Sequence, residues 1–244
     1  MRIGVIADIH GNVAALEAVL DRLQHASPDM IINLGDCASG PLWPAETVSL
    51  LRATEMLHVR GNHDRALGAT SPEGLGRSDL FAWERLEAAD RAWLSTLPEE
   101  QFVAGAHCFH ATPGDDEAYL MERVADGRLL PDSSAAVESR LAGTQARLVL
   151  CGHSHLPRLL RLPAGVLVVN PGSVGCPAYH DDTAPAHVSE SGSPHARFAI
   201  VTLSPAITVE HHAIAYDWDA AAARARQSGR DDWALALATG TAQA

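Results

Sequence analysis

No run of basic residues occurs in this chain, and its charge balance is strongly acidic: 18 Lys and Arg stand against 30 Asp and Glu, a formal net charge of −12. A protein that tracks a nucleic-acid backbone needs a basic face, so stable nucleic-acid binding is not expected. No stretch approaches the roughly 20 apolar residues that cross a bilayer, which argues against a membrane partner. The first apolar run, Ile3 to Ala7, is too short for a signal-peptide core and meets Asp8 at once. It reads as a buried first strand, and the expected location is cytoplasmic. Internal repeats are absent. The four cysteines, Cys37, Cys108, Cys151 and Cys176, show neither C-x-x-C spacing nor a disulfide framework. They read as small buried hydrophobes of a reducing compartment.

What is present is an alternation of short apolar runs and helical patterns over 244 residues, the signature of βαβ units. Strands are expected at 3–7, 30–34, 56–59, 108–111 and 148–151. Val13 to Leu23 reads as a helix with Asn12 as its N-cap. A second helix runs from about Ala45 to Arg52 behind Pro44. The length suits one domain, 1–244, with a helical segment at about 77–98. Residues 178–195, rich in Pro, Ser, Asp and His, read as a loop insertion. On either side of that loop the text from His155 to about Ile214 is β-like, and the Ala-rich tail after Asp217 is helical.

The expected strands end in polar residues: Asp8-Ile9-His10, Gly35-Asp36, Gly61-Asn62-His63-Asp64, His110, and Gly152-His153-Ser154-His155. Sheets of this class bind their ligands at strand C-terminal ends. Carboxylate oxygens with imidazole nitrogens suit Mn, Fe, Zn, Co or Ni. Two such ions a few ångströms apart need a bridging carboxylate between them, and Asp36 is the natural bridge. Each piece alone is weak, because a lone Gly-Asp is usually a turn and a lone strand histidine usually a satisfied core residue. Five pieces in order, each closing a strand, are hard to obtain from structural needs alone.

This ordered set resembles the signature of the calcineurin-like metallophosphoesterases, in particular their small bacterial phosphodiesterases. The resemblance runs from residue 1 to about 177 and includes the turn Asn170-Pro171-Gly172-Ser173-Val174-Gly175. It implies a four-layer α-β-β-α sandwich, two mixed β-sheets flanked by helices. It implies two divalent ions, one held by Asp8, His10, His155 and the bridge Asp36, the other by Asp36, Asn62, His110 and His153. His63 resembles the family's general acid. The implied activity is phosphodiester hydrolysis by a metal-bridging hydroxide. The alternatives are phosphomonoester and dinucleoside-polyphosphate hydrolysis, and the partner is a small phosphorylated substrate, nucleotides included. Gly35-Asp36 is followed by Cys37-Ala38-Ser39-Gly40 and Asn62-His63 by Asp64, which departs from the protein serine/threonine phosphatases. The residue that orients His63 is left unassigned, since the position supplying it there is Ser39. A non-catalytic scaffold of the same fold should have lost ligands or the acid, and all are present.

Lesser candidates flank this set. Arg60 and Arg65 could grip a substrate phosphate, with an ordinary surface ion pair as the competing reading. Thr112 to Asp115 should turn beside the cleft. His180, with Tyr179, Asp181 and Asp182, could contact the rest of the substrate; His187 and His195 read as solvated loop residues.

Overall fold

The computed structural model describes residues 1–141 and 143–243. The chain opens with β1 (Arg2–Ile6), α1 (Val13–Ala26), β2 (Met30–Asn33), α2 (Pro44–Ala53) and β3 (Leu57–His58). Asn12 caps α1, its side chain accepting from the Ala15 N–H, and Pro44 begins α2. Then come three helices, α3 (Asn62–Leu67), α4 (Arg77–Trp83) and α5 (Ala88–Thr96), and four strands, β4 (Glu100–Val103), β5 (Ala106–Phe109), β6 (Glu122–Ala125) and β7 (Arg128–Pro131). Helix α6 (Ser134–Arg140) precedes β8 (Leu148–Leu150), β9 (Arg158–Arg161), β10 (Leu167–Asn170), β11 (Ala178–Asp181), β12 (His187–Glu190), β13 (Ala196–Thr202) and β14 (Thr208–Ile214). The tail is α7 (Trp218–Gln227) and α8 (Asp231–Thr239).

Two five-stranded mixed sheets face each other, ordered β14-β13-β1-β2-β3 and β4-β5-β8-β10-β9. Strands β1, β2 and β3 run parallel, as do β5, β8 and β10. Alternation along the strands builds the layers. Ile3, Val5, Ala7, Ile32 and Leu34 meet Val103, Ala106, Cys108, Leu148, Leu150 and Val169 between the sheets. Ile6, Phe198 and Ile200 face outward onto α1 and α2, while Phe109, Val149 and Val168 pack beneath α6. This is the expected α-β-β-α sandwich.

Two features differ from the sequence reading. The helical segment at 77–98 is two helices with a break at 84–87. The expected loop at 178–195 is instead a hairpin, β11 paired antiparallel to β12 from Ala178↔Glu190 to Asp181↔His187. With β7 and β6 it forms a third, four-stranded sheet. The polar text misled because two of its buried strand residues are polar with partners inside the fold. His187 Nε2 lies 2.8 Å from Tyr119 Oη, and the Ser189 hydroxyl donates to the Ser154 carbonyl at 2.6 Å. The residues typical of a loop occupy the exposed turn 182–186. No helix among the described residues is long and apolar enough to cross a membrane.

Candidate metal centre

Strands β1, β2, β3, β5 and β8 all point their C-terminal ends at one edge of the sandwich, and the polar motifs follow directly. The backbone must reverse sharply there. Asp8, His10, Asp36, His153 and His155 all take positive φ, between 52° and 68°, a region Asp and His enter more readily than most residues. The folded-back chain is hydrogen-bonded: the Ile9 and His10 N–H groups both donate to the Asp36 carbonyl at 2.9 Å. Close approach also demands missing side chains. A Cβ at Gly61 would collide with Asp36 Oδ1, and one at Gly175 with the Ile9 carbonyl.

The result is two donor clusters sharing one carboxylate. Ligand atoms of Asp8, His10, Asp36 and His155 all lie within 4.8 Å of one another, and so do those of Asp36, His110 and His153. Asn62, the first residue of α3, brings its Oδ1 to 3.2 Å from His110 Nε2. Asp36 Oδ2 sits 3.3 Å from His110 Nε2 and 3.6 Å from His10 Nε2. All seven residues expected as ligands are therefore brought together.

The histidines are presented for coordination. His10, His110 and His155 place Nδ1 at 2.9, 2.8 and 2.7 Å from the carbonyls of Ser39, Leu34 and Cys176. Each Nδ1 must carry the hydrogen, which turns Nε2 inward; on His110 burial lowers the pKa but Asp36 raises it to about 9, so its Nε2 holds a proton that a cation would displace. His153 is reversed: its Nε2 donates to the Glu117 carbonyl at 2.8 Å, so Nδ1 faces the cluster. Burial lowers the His10 pKa to about 4 and carries that of His155 well below its ordinary value. Two neutral imidazoles thus face each other, His10 Nε2 to His155 Nε2, at 3.1 Å. Lone pairs at that separation suit a shared cation.

The carboxylates agree. Burial pushes the Asp8 carboxyl up to about 8, and the nearby Asp36 adds to the shift against the pull of His110. Asp8 Oδ2 is buried without a hydrogen-bond partner. Burial opposes ionisation of Asp36 too, but His110 and His63 hold its pKa well below the usual range. An orphaned buried carboxylate oxygen beside inward-facing imidazole nitrogens fits divalent cations.

Around this centre the structure supplies residues whose roles were not read from the sequence. Asp64 accepts from the backbone N–H groups of Asp36, Cys37 and Gly61 at 2.9, 2.8 and 3.0 Å, locking the β2 and β3 loops together. Asp79 of α4 places Oδ1 2.8 Å from His63 Nδ1, so the orienting partner is Asp79 and not Ser39. No local pattern marks it, since it sits 16 residues away across a loop. His63 Nε2 has no hydrogen-bond partner among the described residues, and the ring lines the cavity. Behind the site, Ser173 Oγ donates to the Asp8 carbonyl at 2.7 Å and Asn170 Nδ2 to that of Gly152 at 2.7 Å. Thr112 to Asp115 does form a turn, closed by reciprocal backbone bonds.

The donor clusters form the floor of a cavity of about 620 Å³. The β11–β12 hairpin and Tyr119 make one wall, with the hydroxyls of Tyr119 and Tyr179 2.8 Å apart. Arg230 and Trp233 from the Ala-rich tail make another. His180 stands on the cavity wall with Asp182 at 3.4 Å. Arg60 and Arg65 do not line it: Arg60 pairs with Glu99 at 2.6 Å, and Arg65 holds Asp116 and Glu117 at 2.7 Å each. The substrate-gripping role considered for them is replaced by ion pairing, because Glu99 claims the Arg60 guanidinium and Asp116 with the cavity-rim Glu117 claims that of Arg65.

Comparison with known proteins agrees with this geometry. The chain is 31% identical to an uncharacterized protein of Methanocaldococcus jannaschii over 198 residues, 72% of this chain and 76% of that one. A metallophosphoesterase of Sphaerobacter thermophilus superposes with a TM-score of 0.76 at 24% identity, covering 97% of this chain and 98% of that one. A hypothetical protein of Pyrococcus horikoshii OT3 gives 0.77 at 18% identity, with 99% of both chains covered. These two show the shared fold. The model of the calcineurin-like phosphoesterase superfamily domain matches residues 1–191, and the chain belongs to that superfamily.

Proposed function

We propose that this member of the calcineurin-like phosphoesterase superfamily hydrolyses a phosphodiester in a small substrate, with two divalent ions (Mn, Fe, Ni, Zn or Co) shared across Asp36 and His63 as general acid. The observation that carries the reading is the pair of donor clusters meeting at one buried carboxylate, with an oriented histidine on the cavity side. Asp8, His10 and His155 would hold one ion, Asn62, His110 and His153 the other. When bound, such ions neutralise the phosphoryl oxygens and lower the pKa of water towards neutrality.

The chain's own residues supply the rest. Asp79 fixes the His63 ring through Nδ1–H, which directs Nε2–H at the departing oxygen. The His63 backbone N–H donates to Asp36 Oδ1 at 3.0 Å, tying the acid to the bridge. The hairpin and α8 restrict the water around the reacting group. The same reading treats 1–244 as one domain, supported by the tail helices forming a cavity wall. A cytoplasmic setting is compatible with four buried, unpaired thiols.

The test is an activity screen on protein stripped of metal and refilled separately with each ion, run beside His63→Ala. The variant should keep its metal and lose about 10²–10⁴-fold in turnover on diesters with alkoxide leaving groups, the usual contribution of a general acid. With a nitrophenolate leaving group, which departs without a proton, the loss should be smaller. Equal losses on both would remove the acid role, and no hydrolysis with any ion would remove the activity itself.

A further inference from the structure

The chain carries a net charge of −12, and yet four of its 18 basic residues line one cleft. This cleft, about 480 Å³, lies between α4 and α7 and is lined by Arg77, Arg85, Arg224 and Arg230 together with Phe81. Glu84 is its one carboxylate among the described lining residues. Like charges gathered this way repel one another; Glu84 and Asp232 pair with two of the four and leave Arg77 and Arg224 without a carboxylate among the described residues.

How the guanidinium groups are held points the same way. Arg77 donates to the Gly229 carbonyl at 3.3 Å and Arg224 to that of Leu42 at 3.2 Å. These are backbone acceptors, and neither arginine forms an ion pair among the described residues, unlike Arg85 and Arg230. Arg85 stands over the Phe81 ring, 3.5 Å from its centroid, and its Nη1 donates to the Phe81 carbonyl at 2.9 Å, which leaves Nε and Nη2 as its remaining donors. Each is thus anchored through one nitrogen and keeps further N–H donors, which suits phosphate.

The cleft also adjoins the metal cavity, since Arg230 lines both. Its guanidinium is fixed by Asp232 at 2.6 Å and by Ser78 Oγ at 2.9 Å. Ser78 directly precedes Asp79, the partner of His63. The arginine cleft therefore lies on the side of the general acid, the side on which a leaving group would depart.

We propose that this cleft binds phosphate groups carried by the leaving group, so that the substrate is a phosphodiester or phosphoanhydride whose departing half bears at least one further phosphate. The assignment rests on the phosphoesterase reading above for the direction of departure. Arg230 would contact the phosphate nearest the scissile bond, and Arg77, Arg85 and Arg224 the more distant ones. Their contribution is to binding and alignment, since none reaches the donor clusters.

Two variants test it in the metal-loaded protein: the exposed Arg77→Glu, and Arg77→Gln combined with Arg224→Gln. Diadenosine tetraphosphate, whose leaving group on central cleavage is a nucleoside diphosphate, is compared with bis(p-nitrophenyl) phosphate, whose leaving group has no phosphate. Calorimetric binding of a non-hydrolysable methylene-bridged diadenosine tetraphosphate is measured in parallel. Both variants should weaken analogue binding and raise KM for the tetraphosphate by about 10- to 100-fold, the worth of one or two charge-assisted hydrogen bonds. Hydrolysis of bis(p-nitrophenyl) phosphate should be unchanged. Unaltered analogue binding, absent binding by the wild-type protein, or equal losses on both substrates would overturn the assignment. Wild-type protein that binds the analogue but hydrolyses neither compound would instead overturn the phosphoesterase reading and leave the cleft as a binding site.

Discussion

Five of the seven side chains facing the two cation positions sit on backbone at positive φ, a conformation that costs an ordinary L-residue about 1–2 kcal/mol. The sheets offset this through the bonds that fold the loops back, such as Gly175 N–H to the Asp8 carbonyl at 3.1 Å. His63 has a different arrangement, an ordinary helical position and a carboxylate behind it. Burial lowers its pKa, but Asp36 and then the hydrogen bond to Asp79 raise it, to a net value of about 10. Cations held at Asp36 would cancel that carboxylate's share and leave Asp79 as the main support of the protonated ring. A general acid works only while protonated, so activity should persist below its pKa and fall as pH rises through it. Asp79→Asn removes the supporting charge and lowers that pKa. The alkaline limb of kcat/KM should therefore move to lower pH, while metal content stays constant and Asp79→Glu largely restores the profile. An alkaline limb that does not move in Asp79→Asn would show that Asp79 merely packs against the ring.

Among the elements, β1 and the β11–β12 hairpin mark the two extremes of what the sequence discloses. Ile3, Val5 and Ala7 face the inter-sheet core while Ile6 faces α1, so the strand is apolar on both sides and legible as a run. The motif residues were legible for a related reason, since each closes such a run. The hairpin hides its buried face behind His187 and Ser189, whose partners lie 68 and 35 residues away. No local pattern announces contacts at that range. The tail was legible as helix but not in purpose: Ala221, Ala222 and Ala225 pack beside Leu42, which brings the loop after α7 and the start of α8 to the cavity. The hairpin's exposed turn, Asp182 to Ala186, overhangs the cavity without sharing the strand pairing. Replacing those five residues with Asn-Gly, which suits a two-residue hairpin, should leave metal content and hydrolysis of a small aryl diester intact. It should change kcat/KM for nucleotide-sized substrates several-fold, because only they reach the rim. Equal falls on both would make the turn a structural part of the centre.

At the scale of the whole molecule, the centre joins the two sheets. Asp8, His10, Asp36 and Asn62 follow strands of one sheet; His110, His153 and His155 follow strands of the other. An ion in either cluster would therefore bond both halves of the sandwich at the same edge, in a state that the unfolded chain cannot reproduce. Ligand that binds only the folded form stabilises it by about 4 kcal/mol when free ion exceeds its dissociation constant roughly 1,000-fold. For a chain of this size each kcal/mol moves Tm by about 2–4 °C, so chelation should lower Tm by about 10 °C. Asp36 is the residue common to both clusters. Asp36→Ala should abolish most of that metal-dependent increment, with elemental analysis showing loss at both positions. Its effect on the metal-free protein has a separate sign. Burial is the main reason the Asp8 pKa stands at about 8, and removing Asp36 relieves only the repulsion that adds to it, but it also takes from His63 and His110 the carboxylate that favours their charged forms. The diagnostic quantity is therefore the difference in Tm with and without metal, compared between wild type and variant. A variant that keeps the full wild-type difference would show that the two clusters bind their ions independently, and Asp36 would not be a bridge.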